Sequence, residues 1–279
     1  MAQEVTRIKK RIKSVTGSYK ITSAMKLVST VKLKKWKNKM LATKEYAMRI
    51  DEIAKNVFSY IEESNNPYFA INAKANKNLY IVLSSSLGLC GSYNSNIFRL
   101  ADSRIKEDDD AIILGNKAIV HYKDGKFNKI EDFKEYSSIK DEYIIKNIVN
   151  YFSKQYLEGA YKEIHLIYTA YKNSLVFHPC DYLILPLQSE EKKNIGYPPI
   201  MEPNQDAVIN SLVPIYLKNC VYAKFLESEV CEQAARSNAM ENATKNAEEL
   251  LESLQIEFNK ARQGAITQEI TEIVGASNM

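Results

Sequence analysis

The sequence predicts an α/β fold in which two very long terminal helices form an antiparallel coiled coil and flank, in chain order, a small central domain with a mostly parallel sheet. Three observations predict it. Both ends repeat apolar residues at spacings of three and four, the middle changes to short strand-like runs, and the first proline is Pro67. The predicted divisions are an N-terminal coiled-coil helix over 1–66, a central Rossmann-like domain over 67–205 and a C-terminal coiled-coil helix over 206–279.

The N-terminal helix carries a sustained heptad pattern, interrupted in its register only by the polar residues Thr22, Lys26, Ser29 and Thr43. Such a pattern is typical of a coiled-coil helix, here of about 55 residues and about 80 Å. The apolar positions of this register are Val5, Ile8, Ile12, Val15, Tyr19, Leu33, Trp36, Met40, Ala47, Ile50, Ala54, Val57 and Ile61.

Four strand-like runs fill the middle of the chain: "NLYIVLSSS", "DAIILGN", "KEIHLIYTAY" and "DYLILPLQ". Helical segments over 94–106 and 140–157 separate them. Strands that alternate with helices predict a largely parallel sheet, spanning about residues 78–187.

The C-terminal helix, counted from Asp206, exceeds about 60 residues and about 90 Å, whereas a compact globule of this chain length has a radius of gyration of about 19 Å. The two helices are therefore expected to pair outside the central domain. Pro214 allows a kink or a fresh start near the beginning of this helix. Its heptad register comprises Leu212, Tyr216, Ala223, Leu226, Val230, Met240, Ala247, Leu251, Leu254, Phe258, Ala261 and Ala265.

The end of the C-terminal helix, "ARQGAITQEITEIV", is rich in small residues, and beyond Ala265 its apolar residues shift to Ile266, Ile270 and Ile273. Because the C-terminal helix is the longer one, its end is expected to continue without the N-terminal helix. Branched apolar residues every three or four positions predict a slender helix that faces another protein. The alternative is a frayed, solvated terminus.

Charge is distributed unevenly: residues 5–44, here called the basic segment, contain thirteen Lys or Arg and no Asp or Glu. Such a run is typical of a nucleic-acid arm, an anionic-membrane surface or a docking face for an acidic protein. A nucleic-acid arm is disfavoured, because the only aromatic residues of the basic segment, Tyr19 and Trp36, lie in the apolar register. The late helix contains eight Glu between 227 and 257, so part of the basic charge is expected to be balanced within the coil.

No catalytic, cofactor or metal site is predicted. The four cysteines form no C-x-x-C pair, and His121, His165 and His178 lack ligand spacing. The turn Gly88, Leu89, Cys90 and Gly91 follows a strand but lacks the phosphate-loop lysine, so a tight structural or contact turn is favoured over a nucleotide site. Neither a membrane span nor a secretory signal is expected.

Three stretches, in order along the chain, resemble the gamma subunit of F-type ATP synthases: "RIKSVTGSYKITSAMKLVSTVKLKK", "SSSLGLCGSYNSNIF" and "AARSNAMENATKNAEELLESLQIEFNKARQGAITQEITEIVGA". The resemblance implies a non-catalytic rotor shaft inside a hexamer of alpha and beta subunits, with a central domain that contacts the epsilon subunit and the c-ring. It implies a bacterial chain, peripheral on the cytoplasmic face of the inner membrane. The family commonly has Asp-Arg where Ser86 and Leu87 stand.

Matching by this resemblance places subunit contacts at particular residues. Arg262 and Gln263 are expected to contact a beta-subunit loop, and the basic segment is expected to face acidic beta-subunit segments. The full set of expected contacts with the alpha/beta hexamer is Lys20, Met25, Lys26, Lys32, Arg262, Gln263, Thr267, Gln268 and Glu269.

Overall fold

The computed structural model describes residues 2–60, 66–133, 142–188 and 199–277. In chain order, two long helices, α1 and α5, stand before and after a five-stranded sheet and three shorter helices. The elements, in chain order, are α1 (Ala2–Phe58), β1 (Leu79–Leu83), α2 (Tyr93–Arg104), β2 (Asp110–Leu114), α3 (Asn116–His121), β3 (Asn128–Lys129), α4 (Glu142–Leu157), β4 (Ile164–Tyr171), β5 (Phe177–Leu185) and α5 (Gln205–Ser277). The predicted fold class is confirmed.

The heptad register predicted for α1 is confirmed by its burial. Every register position from Val5 to Val57 is buried or half-buried, including the polar positions Thr22, Lys26, Ser29 and Thr43. The remaining position, Ile61, lies outside the described residues. A two-helix contact needs such a narrow stripe, and most residues of α1 outside the register are exposed.

The sheet has the strand order β3-β2-β1-β4-β5. The first four strands run parallel, and β5 is antiparallel to β4, with which it forms a hairpin. In the centre, Ile81 is paired with Ile112 on one side and with Leu166 on the other. Both β1 and β2 are buried at every position, as parallel strands covered on both faces usually are.

Two apolar clusters cover the two faces of the sheet. On one face Leu79, Ile81 and Leu83 pack with Phe152 of α4 and Leu226 of α5. The other face is covered by α2, α3 and a further part of α5, through Tyr80, Val82, Ile97, Ala118 and Cys231. Burial of each large apolar side chain contributes about 1.5–3 kcal/mol, so the sheet and its helices form the principal core of the described chain.

The chain divides into two compact units. One consists of residues 1–31 and 236–279, and the other of residues 32–235. In the second unit α5 has no exposed residue between Val221 and Ala235, so that stretch is buried or half-buried on every side rather than along a single stripe. The helix also runs through Pro214, so α5 does not start afresh there.

Candidate subunit-contact site

In the unit formed by residues 1–31 and 236–279, the polar register position Thr22 and the exposed Thr30 outside the register meet polar partners on α5. The hydroxyl oxygens of Thr22 and Thr244 are 2.9 Å apart, and those of Thr30 and Ser237 are 3.1 Å apart. Hydroxyl pairs of this kind satisfy polar groups that would otherwise be buried without a partner. The two helices are therefore joined by matched polar contacts as well as by apolar ones.

The charge of the basic segment is partly balanced within the same unit. Lys26 Nζ lies 3.5 Å from Glu241 Oε1, and Lys245 approaches the same oxygen at 3.5 Å. The charge of Lys26, followed by that of Lys245, lowers the pKa of the Glu241 carboxyl. The Tyr19 hydroxyl donates to Glu248 Oε1 at 3.3 Å. These pairs are exposed, so each contributes little to stability.

The other predicted contact residues of the basic segment differ in exposure. Lys20 and Lys32 are exposed, whereas Met25 is half-buried. Among the described residues neither lysine forms an ion pair. Lys26 is the predicted contact residue whose ammonium group already has a carboxylate neighbour in this chain.

An exposed apolar surface on α1 accompanies the basic segment, and the heptad analysis did not identify it. Ile21, Leu27, Val28 and Val31 are 62%, 67%, 54% and 62% exposed. Their spacings of three, four and seven place them on a face beside the register that packs on α5. The sequence could have indicated this surface, because these four residues are apolar positions outside the heptad register. Clustered apolar exposure of this kind marks a protein-contact surface.

The C-terminal segment, defined here as residues 262–274, lies within α5 and is almost entirely uncovered. Arg262, Gln263, Thr267, Gln268 and Glu269 are all exposed. The hydroxyl of Thr267 donates to the Gln263 carbonyl at 2.9 Å, and the Gln268 amide donates to Glu272 Oε1 at 2.8 Å. These bonds lie along the helix and leave the outward face open.

The apolar stripe of the C-terminal segment is exposed too. Ile266, Ile270 and Ile273 are 48%, 56% and 69% exposed. Between Ile266 and Val274 no side chain is buried. An uncovered stripe of isoleucines on a regular helix is typical of a surface that another protein covers. The helical state of this segment agrees with the predicted slender helix.

The turn over Gly88–Gly91 is stabilised by its own polar groups. The Ser85 amide donates to Asn94 Oδ1 at 3.1 Å, and the Asn94 amide donates to Ser85 Oγ at 2.7 Å. Leu89 and Gly91 both adopt positive φ angles, of 63° and 56°. Buried Cys90 anchors the turn, while Leu89 is exposed. Since Ser85 and Asn94 satisfy one another, this end of β1 resembles a structural turn more than a phosphate cradle.

A charged cluster in the central sheet surrounds His165. Its Nδ1 lies 2.8 Å from Asp181 Oδ1 and its Nε2 lies 3.3 Å from Glu163 Oε2. Arg104 Nε in turn lies 3.3 Å from Asp181 Oδ2, and Tyr80 stacks on the imidazole. Burial would lower the pKa of His165, but the hydrogen bond and charge of Asp181, followed by those of Glu163, raise it overall. Both ring nitrogens are therefore held between carboxylates, which suits a structural ion cluster.

The described ranges contain neither a candidate metal cluster nor a candidate membrane-spanning helix. No group of three or more His, Cys, Asp or Glu side chains there is arranged to hold a metal ion. Among the described helices, none combines the length and the apolar character that a membrane crossing requires.

These features indicate the class of protein: a subunit built from two long paired helices and an α/β sheet, with exposed surfaces suited to contact other chains. The family model described as ATP synthase matches residues 4–278. The ATP synthase gamma chain of Clostridium beijerinckii is 37% identical and covers 99% of this chain and 98% of its own length. That of Clostridium perfringens is 38% identical, with 97% and 96% covered.

Solved structures show the same fold. A chain in the Euglena gracilis mitochondrial ATP synthase, OSCP/F1/c-ring, aligns with a TM-score of 0.69 at 15% identity, covering 100% of this chain and 95% of that one. A chain of the Tetrahymena thermophila mitochondrial ATP synthase central stalk/c-ring gives 0.55 at 22% identity, covering 80% and 99%. This chain belongs to the ATP synthase gamma chain family. Its members form the central rotor stalk of F-type ATP synthases and carry no catalytic sites, which lie on the beta subunits.

Proposed function

We propose that this chain is the turning shaft that couples ion flow through a c-ring to ATP synthesis or hydrolysis in an alpha/beta hexamer. The observation that carries the proposal is the C-terminal segment: a regular helix whose isoleucine stripe and polar residues are uncovered by the rest of the described chain. A single helix inside a ring of three catalytic sites touches each of them differently. Rotation of that helix therefore changes the three affinities in sequence, which couples binding free energy to rotation.

Within this proposal the C-terminal segment has two kinds of contact. The stripe of Ile266, Ile270 and Ile273 provides an apolar bearing surface, while Arg262 and Gln263 provide directional bonds to a beta-subunit loop. Thr267, Gln268 and Glu269 extend the same contact. An arginine donates paired, charge-assisted hydrogen bonds to a carboxylate, which a lysine does not reproduce.

The remaining partners follow from the family. The central domain, taken as residues 67–205 between helical divisions 1–66 and 206–279, contacts the epsilon subunit and the c-ring, with the turn over Gly88–Gly91 as a structural or contact loop. The complex lies on the cytoplasmic face of a bacterial inner membrane, where this chain is peripheral. Support comes from the bacterial relatives and from the resemblance of the whole chain to the family.

The basic segment is proposed to face acidic segments of the beta subunits through Lys20, Met25, Lys26 and Lys32. Support comes from thirteen basic residues without an acidic one between 5 and 44, of which Lys26 has a carboxylate neighbour on α5. Exposed ion pairs contribute about 0–1 kcal/mol each, so single substitutions are expected to have mild effects. Simultaneous replacement of Lys20, Lys26 and Lys32 by alanine is expected to weaken ATP-driven ion pumping in membrane vesicles while the complex still assembles.

A matched control removes three exposed lysines of the central region, Lys123, Lys146 and Lys162. It carries the same change in net charge and should retain more pumping than the test variant. Pumping by the Lys20, Lys26 and Lys32 variant at the parental rate, in assembled complexes, would refute the proposed role of the basic segment.

A further inference from the structure

A groove in the unit formed by residues 32–235 is bounded by α1, by α5 and by the β4–β5 hairpin. Its volume is about 580 Å³. Pockets of about 300–1,000 Å³ are the usual size for small-molecule sites, which tend to be apolar with a few polar groups. The lining residues of the groove include Lys37 and Lys44 of the basic segment, but none of the four residues of that segment assigned above to contacts with the alpha/beta hexamer.

One wall of the groove is formed by aromatic and thiol side chains. It includes Tyr182 from β5 with Tyr216 and Cys220 from α5. The Cys220 thiol contacts the Tyr182 hydroxyl at 3.3 Å, and the ammonium group of Lys224 lies 4.3 Å from the centre of the Tyr182 ring. Burial raises the pKa of Cys220, so the thiol stays protonated and behaves as a small apolar group. This wall suits an apolar or aromatic ligand body.

The rim of the groove is basic. Lys37, Lys44 and Lys172 line it, and all three are exposed. No residue that the structure describes forms an ion pair with any of them. The rim therefore places three ammonium groups on the same groove as the aromatic wall.

The acidic groups of the groove do not offset this charge. Asp51 is already paired with Lys55, whose Nζ lies 3.3 Å from its carboxylate. Glu227 has Lys224 as a neighbouring opposite charge, which lowers the pKa of its carboxyl although burial raises that pKa overall. The combination of an apolar wall and an excess of rim lysines is complementary to a ligand with an apolar body and an anionic head.

We propose that this groove binds one small amphiphilic anion, with its apolar body against Tyr182, Tyr216 and Cys220 and its acidic head beside Lys37, Lys44 and Lys172. The groove has three walls, since the hairpin lies beside α1 and α5, and this favours a small molecule over a partner helix lying across α1 and α5. The ligand would bridge the two helices and the hairpin, so its binding stabilises this unit against unfolding.

The probe is 1-anilinonaphthalene-8-sulfonate, a fluorescent aromatic anion, titrated into the purified full-length chain. We expect a single saturable site. Decanoate should displace the probe below its micellar concentration, whereas decyltrimethylammonium, which has the same chain and a cationic head, should not. Equal displacement by the two competitors would overturn the proposal, because it would show binding that ignores the charge of the head.

Two variants locate the site. Replacing Lys44 and Lys172 with alanine should raise the dissociation constant of the probe by about fivefold, in line with the loss of two exposed charge pairs. The matched control replaces Lys34 and Lys123, which are exposed but lie outside the groove, and should leave the dissociation constant unchanged. Ala223→Phe should abolish binding by filling the groove, with thermal unfolding as the check that it folds. An equal dissociation constant in the rim variant and the control would overturn the proposal.

Discussion

Two stretches of one uninterrupted helix, α5, have opposite surroundings. Between Val221 and Ala235 no residue is exposed, and Val230 and Cys231 are completely buried. Between Ile266 and Val274 every residue is exposed, although isoleucine recurs at the spacing of a packed face. The first stretch is covered by its own chain, whereas the second presents an equally apolar pattern with no cover from the described residues. The difference separates positions that maintain the fold from positions available to a partner.

The sharpest test of this comparison replaces one apolar residue in each stretch. Leu226 has no exposed surface, so Leu226→Ala should lower the free energy of unfolding by about 2–5 kcal/mol through lost transfer free energy and a residual cavity. Ile270 is 56% exposed, so Ile270→Ala should change the free energy of unfolding by less than about 0.5 kcal/mol. Urea unfolding of the purified chain measures both. Similar losses in the two variants would show that the stretches do not differ as described.

A smaller effect is expected from the charged cluster of the central sheet. The pKa of His165 is raised in the folded chain, so protonated His165 stabilises the fold fully below its ordinary pKa of 6.5. That contribution is lost as the pH rises through the raised folded pKa. Urea midpoints measured at pH 6 and pH 8.5 should therefore differ, and His165→Gln should reduce the difference. His178→Gln, an exposed control on β5, should keep the parental difference between the two midpoints. A His165→Gln protein with the parental pH dependence would contradict the role of the cluster.

The smallest effect belongs to the exposed pair of Lys26 and Glu241. The pKa of Glu241 is lowered, so its contribution is present above its ordinary pKa of 4.5 and disappears as the pH falls through the lower folded value. Glu241→Gln should therefore shift the urea midpoint slightly at pH 7 and less at pH 3. Glu249→Gln, an exposed substitution on the same helix, serves as the control for removing one carboxylate. A shift at pH 3 as large as that at pH 7 would contradict the ion-pair explanation.

Most of the fold was predictable from the sequence, because heptad spacing and strand length are local properties. The α1 register was predictable even at its polar positions, which proved to be buried or half-buried against α5. The two-residue strand β3 and the six-residue helix α3 are too short to produce a period, and they were not predicted. The antiparallel direction of β5 was also not specified, since it depends on the hairpin with β4.

The all-round burial of α5 could not be predicted from its pattern. Ser228, Glu229 and Glu232 are polar residues of the kind that normally face solvent, yet they are buried. Their burial depends on how helices and sheet pack on α5, which heptad spacing does not specify. The approach of Asp181 to His165 likewise depends on the pairing of β4 with β5. By contrast, the subunit contacts of Arg262 and its neighbours were predicted from the family resemblance, and the structure shows only that these residues are exposed.

The central claim is that the C-terminal segment grips the surrounding subunits, and Arg262→Leu in the assembled complex tests it most directly. Loss of a charge-assisted hydrogen bond costs about 1.5–3 kcal/mol, so the complex should form while its ATP turnover falls about tenfold. Lys260→Leu, which removes an exposed positive charge two residues earlier in α5, should retain parental turnover. If the assembled Arg262→Leu complex matches the parent in both ATP hydrolysis and ATP synthesis, Arg262 is not part of the grip and the claim fails.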